Sequence, residues 1–146
     1  MRLWHIDLLD VLPDRQFRGQ LRELVAIMHD WRDKGTTNHL LINKVMDYPK
    51  QDLVEYFHVY AYIWTKRYGT ELNQKYYQEF KDFGDNVYSE YIFDDWHNDD
   101  YAKVCMFNLY EKYKFGKGKS KITEEEWSAL KSRYLMITKD DWFEEN

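Results

Sequence analysis

The sequence predicts an all-α fold of five or six helices. Three observations carry that expectation. Apolar residues recur at spacings of three and four through most of the chain, the runs are broken by Gly and Pro, and no stretch alternates apolar with polar residues as a half-buried strand does. At 146 residues the chain is long enough for one core without disulfides or metal, so a single helical domain over 1–146 is expected.

Residues 1–12 read as an extended or irregular lead-in. Pro13 suits a first helical turn, where its missing N–H has no partner to lose. From there Phe17, Leu21, Leu24, Met28 and Trp31 mark an amphipathic helix that stops before Gly35. Arg15, Arg18 and Arg22 fall on its other side with Glu23 beside them, a basic face that suits an anionic ligand and equally suits water. Thr36, Thr37 and Asn38 can cap a short helix through about Met46, with His39 in its first turn. Asp47-Tyr48-Pro49 ends that helix, and the next runs from about Pro49 to Tyr68, with Leu53, Phe57, Tyr60 and Trp64 on one stripe and Gly69 as its stop. His58 lies beside the stripe, where a lone histidine is usually a packed core residue. No second ligand follows it at helical spacing, so it does not read as a metal site.

Glu71 to Phe83 is weakly periodic and expected to be helical. Gly84 opens an acidic stretch in which Asp94, Asp95, His97, Asp99 and Asp100 lack the glycine and distal glutamate of a calcium loop. It reads as a solvated loop whose Asn98 or Asp99 caps a helix from about Asp100 to Tyr113; acids in a first turn are favoured by the helix dipole. Lys112 to Lys121 then interleaves Lys, Gly, Tyr113 and Phe115. Lysines and flexible glycines can approach phosphates and the rings can stack on a base, and a plain surface loop has equal weight. Thr123 followed by Glu126 is a capping box opening a last helix through about Leu135. Trp142 and Phe143, set among acids, are expected to fold back onto the body.

Composition narrows the function classes. Cys105 is the one cysteine, which excludes an intramolecular disulfide and a cysteine-based zinc site. No apolar run approaches a membrane span, and Arg2, His5 and Asp7 interrupt the start where a signal peptide would be apolar. A cytoplasmic protein without a membrane partner is therefore the default. The net charge of −5 argues against casual DNA binding. Its distribution is uneven, because residues 82–100 hold acids with no Lys or Arg and residues 112–121 hold five lysines with no acid.

The start of the chain carries the sharpest chemistry. An α-amine has a lower reference pKa than a lysine amine, about 7.7–8.0, and neighbouring guanidinium groups lower it further. Beside a carboxylate such an amine can attack a sugar carbon and form an imine. Met1 with Arg2, and Arg22-Glu23 on the first helix, supply those groups. The plainer reading is that Leu3 and Trp4 tuck the N-terminus into the core while Arg22 and Glu23 face water, and periodicity alone favours it.

Four short motifs in order, Met1-Arg2-Leu3-Trp4, Leu21-Arg22-Glu23, Asn38-His39 and Lys66-Arg67-Tyr68-Gly69, give the chain a resemblance to the pyrimidine-dimer DNA glycosylase family. The resemblance covers roughly the first half. It divides the domain into a family-like region in 1–80 and a divergent helical extension in 81–146. It implies a DNA-repair glycosylase with abasic-site lyase activity and no metal or cofactor, acting on damaged double-stranded DNA. Met1 would supply the attacking amine, Glu23 would manage charge and protons at the sugar, and Arg2 and Arg22 would hold phosphates. Arg18, His39, Lys117 and Lys119 complete the expected DNA contacts, and a monomer is favoured. Gln16 stands where the family has a histidine, and the chain is acidic where the phage member is basic. Two readings from other classes remain open, a non-catalytic helical module that binds a protein partner and a nucleic-acid binder without chemistry.

Overall fold

The computed structural model describes residues 2–145. Within them the chain is all-α: α1 (Asp14–Lys34), α2 (Lys50–Tyr68), α3 (Gln74–Phe83), α4 (Asp99–Phe115) and α5 (Glu124–Thr138), with 3₁₀ turns at Ile6–Val11, Ile42–Asp47, Gly118–Ser120 and Trp142–Glu145. Two compact units emerge. One comprises Met1–Leu3 with Gln20–Asp94, the other Trp4–Gly19 with Asp95–Asn146.

The core of the first unit is built on α2. Leu53, Phe57 and Tyr60 of the stripe are wholly buried, Trp64 at its end is half-buried, and Val54, Tyr56 and Ala61 broaden the buried face. Phe57 stacks on Phe80 of α3 with centroids 4.2 Å apart. The start of α2 takes its caps from the acidic stretch rather than from its own neighbours. Asp85 accepts from the N–H groups of Lys50 and Gln51, which places a carboxylate at the positive end of the helix. Gly69 closes α2 in the left-handed conformation, with φ 74°, that glycine adopts without strain. His58 departs from expectation: it is about half exposed, 3.8 Å from Glu55, and not packed in the core.

The expected short helix at 36–46 begins later and is tighter. Thr37 caps nothing; its N–H and its hydroxyl both donate to Asn43 Oδ1 at 2.8 Å, and the hydroxyl accepts from His39 N–H. That closure uses the groups a helix N-terminus would need. Regular structure therefore starts only at Ile42, as a 3₁₀ turn, with His39 ahead of it.

In the second unit the lead-in is also more ordered than the sequence suggests. Ile6–Val11 winds into a 3₁₀ turn, capped by His5 Nδ1 accepting from Asp7 N–H at 3.1 Å and anchored by buried Leu8 and Leu9. His97 Nδ1 accepts from Ile6 N–H at 3.0 Å, and the His5 and His97 rings lie 5.3 Å apart. Arg133 on α5 grips the same turn through the Asp10 carboxylate and the Asp7 carbonyl. Asn98 caps α4, and Thr123 with Glu126 forms the expected capping box on α5, which continues to Thr138. Phe143 does fold back, buried and edge-on to Tyr134 and Trp127.

Candidate active site at the N-terminal peptide

The first unit holds the start of the described chain against α1. Leu3 is fully buried and acts as the anchor. On either side of the Arg2 α-carbon the backbone is fastened by α1. Arg2 N–H donates to Glu23 Oε2 at 3.0 Å, and Arg2 C=O accepts from Gln20 Nε2 at 2.8 Å. Gln20 and Glu23 are three residues apart, hence on one helix face. The Tyr56 hydroxyl on α2 donates to Gln20 Oε1 at 3.3 Å.

Glu23 is half-buried, not spread on a solvated face. Its burial raises the carboxyl pKa above the ordinary value, against the Arg2 N–H bond and the charges of Arg2 and Arg22, which lower it. A carboxylate in that state is a stronger base than an exposed glutamate and stabilises positive charge close by. Arg22 is exposed beside it and Arg2 half-buried, so the structure brings Arg2, Arg22 and Glu23 together. The plainer expectation is half right: Leu3 and Trp4 are buried, yet Glu23 is occupied by the N-terminal backbone.

The other nominated residues lie in separate settings. Met1 is outside the described residues. Arg18 is exposed on α1 and pairs with Asp14 one turn earlier at 3.0 Å. His39 is exposed in its loop, where its backbone rather than its ring is held by Thr37. Lys117 and Lys119 belong to the second unit and are exposed at the Gly118–Ser120 turn. There the two candidate stacking rings part ways. Tyr113 stacks on Trp127 at 5.3 Å, whereas Phe115 is 79% exposed beside a cleft it lines with Lys112, Gly116 and Ser120.

Gln20 and Tyr56 were missed by sequence reasoning. A signal for the first existed, since Gln20 falls in register with Phe17, Leu24 and Ile27, a polar residue where the core stripe calls for an apolar one. Taking Leu21 as the stripe member hid it; Leu21 is half-buried and Gln20 is wholly buried.

An all-α fold whose N-terminal peptide is fastened to a half-buried helix carboxylate defines a helical protein arranged around the start of its chain. The family model for pyrimidine dimer DNA glycosylases matches residues 1–77, and the chain belongs to that family. Membership makes it a DNA-repair glycosylase with damaged DNA as substrate. No curated protein and no solved structure matches the chain. Among the described residues no helix is long and apolar enough to cross a membrane.

Proposed function

We propose that the protein couples glycosylase to abasic-site lyase chemistry through the α-amine of Met1. The neutral amine attacks C1′ of the damaged nucleotide as the C1′–N bond to the base breaks, and the amine loses a proton; the C1′–O4′ bond then opens with O4′ taking up a proton, and the ring-opened sugar is left as an iminium on the protein. Positive charge grows on the sugar as the bond to the base breaks, and a carboxylate placed there stabilises the transition state more than the ground state. The iminium then acidifies the C2′ proton. Glu23, as base, removes it, the electrons form the C2′–C3′ double bond, and the 3′ phosphate leaves. Arg2, Arg18, Arg22 and His39 hold the backbone around the lesion, with Lys117 and Lys119 as further phosphate contacts. Reaching the sugar requires unstacking the target nucleotide, which fixed backbone contacts help to sustain.

The observation that supports this reading is the 3.0 Å hydrogen bond between Arg2 N–H and Glu23. It holds a carboxylate with a raised pKa on the N–H of the residue that follows the nominated amine, which supports a shared role for the two at one sugar.

The test is borohydride trapping of untagged protein on a duplex with one abasic site, beside a sample whose N-terminus is blocked. A covalent adduct that needs the free amine is the expected result. No adduct, while a known lyase traps under the same conditions, would sink the mechanism and leave a glycosylase that works without an imine.

A further inference from the structure

We infer that Gln20, set by Tyr56, is a positioning residue for the reacting amine: its amide holds the Arg2 carbonyl and so fixes the direction from which the amine meets the sugar. The inference rests on the amine chemistry proposed above.

Gln20 is fully buried on the apolar stripe of α1, where an aliphatic side chain would satisfy packing. A buried amide is retained only where its polar atoms are bonded. Here the partners define its orientation. A carbonyl oxygen can only accept, so the atom 2.8 Å from Arg2 O is the amide nitrogen. That turns Oε1 toward Tyr56, whose hydroxyl then donates at 3.3 Å. Tyr56 is itself fully buried on α2. Two donors therefore run in series, Tyr56 O–H to Gln20 and Gln20 N–H to Arg2 C=O, while Arg2 N–H, on the preceding peptide unit, donates separately to Glu23. Such chains reinforce themselves in a low-dielectric interior.

The geometric consequence concerns the peptide link between residues 1 and 2. That link is planar, and its N–H is directed at Glu23. The next carbonyl along is directed by Gln20, so the two soft dihedrals of Arg2 are set by bonds on both sides. By covalent geometry alone, the α-amine of residue 1 is attached one rotatable bond beyond a planar peptide. With the carbonyl released, the Arg2 backbone can turn about its bond to Glu23 and the amine loses its aim. Misplacement of a nucleophile by a fraction of an ångström slows chemistry while leaving distant binding contacts intact.

The experiment uses full-length untagged protein and measures three quantities: the single-turnover rate of borohydride trapping on an abasic duplex across pH, the duplex affinity, and the melting temperature. Gln20→Leu keeps approximate size and removes the donor. It is expected to lower the trapping rate about 10- to 100-fold while duplex affinity stays within about twofold. Gln20→Glu puts a carboxylate near the amine and is expected to move the rising limb of the pH profile upward. Should Gln20→Leu fail to fold, Tyr56→Phe carries the test, with an expected slowing of about two- to fivefold and unchanged affinity. Wild-type protein that traps, beside folded variants with wild-type rates and pH profiles, overturns this inference and leaves the amine mechanism standing. Wild-type protein that does not trap overturns the mechanism and this inference with it.

Discussion

The backbone N–H of Arg2 and the carboxylate of Glu23 meet at 3.0 Å across 21 positions of sequence. Replacing Glu23 by Gln keeps an oxygen for that N–H and removes the charge. Trapping on an abasic duplex is expected to fall about 100-fold or more, the scale of losing one electrostatic stabiliser.

The same substitution has a stability consequence of opposite sign. Because burial raises the Glu23 pKa, the folded state favours the protonated carboxyl. The contribution to stability is full below the ordinary value of 4.5 and is lost as pH rises through the raised one. Gln imitates the protonated form, so Glu23→Gln should melt at or above the wild-type temperature at neutral pH. The gap should narrow on acidification, as melting curves across pH will show.

His5 and His97 give the second unit an acid limit. Burial lowers both pKa values, and the charge of His5 lowers that of His97 further, while Asp7 and Asp99 oppose the shift at His5. Both rings accept backbone N–H bonds through Nδ1, which a proton there would abolish. A depressed pKa stabilises the fold above the ordinary value of 6.5, and this stability is lost as pH falls through the lowered values. Melting temperature should therefore drop on going below pH 6.5. His97→Asn, which keeps an acceptor for Ile6, should flatten that drop.

Gly116 is constrained by closeness rather than by its dihedrals. A Cβ there would lie 2.3 Å from Lys112 O and 2.9 Å from Lys121 Cα, both backbone atoms. Gly116→Ala is expected to cost about 1–3 kcal/mol in denaturant unfolding, the usual range for overpacking.

At the start of α5 the Thr123 hydroxyl accepts from Glu126 N–H at 3.1 Å, and the Glu126 carboxylate accepts from Thr123 N–H at 2.9 Å. Thr123→Ala should lower stability by about 1 kcal/mol. Adding Glu126→Ala should cost less than the two single losses together, because each side chain serves the same terminus.

Lys117 and Lys119 test the second unit as a DNA contact. If each neutralises one phosphate, Lys117→Ala or Lys119→Ala should reduce the salt slope of duplex binding by about 0.9 and leave the trapped rate at saturation unchanged. An unaltered slope would remove the lysine turn from the interface.

Much of the fold was legible because long periodic runs dominate it. α2 follows from the stripe of Leu53, Phe57 and Tyr60 with Gly69 as its stop, and α5 from Thr123 and Glu126. The short elements were not legible. Ile6–Val11 is too short for a period to show, and its cap is a histidine ring accepting a backbone N–H, a role that composition does not advertise. At 36–46 the sequence offers three capping residues, and which backbone groups they serve depends on Asn43 closing the loop from six positions away. Glu23 was legible as a candidate through its place beside Arg22. The hold of Gln20 on the Arg2 carbonyl was not, because it depends on which of two neighbouring positions, 20 or 21, the helix turns inward.

The second unit is assembled from Trp4–Gly19 and Asp95–Asn146, so its parts leave the ribosome far apart in time. Residues 4–19 emerge early, and Leu8 and Leu9 on the Ile6–Val11 turn stay exposed until α5, which packs on that turn, has been made. Residues 20–94, by contrast, form an unbroken stretch that can begin to fold as it appears. Synthesis therefore has a built-in waiting period, in which an early hydrophobic segment is exposed and the late helices close over it. Slowing translation after residue 94 lengthens that exposure, and the nascent chain is most prone to aggregation and most dependent on chaperones in that interval.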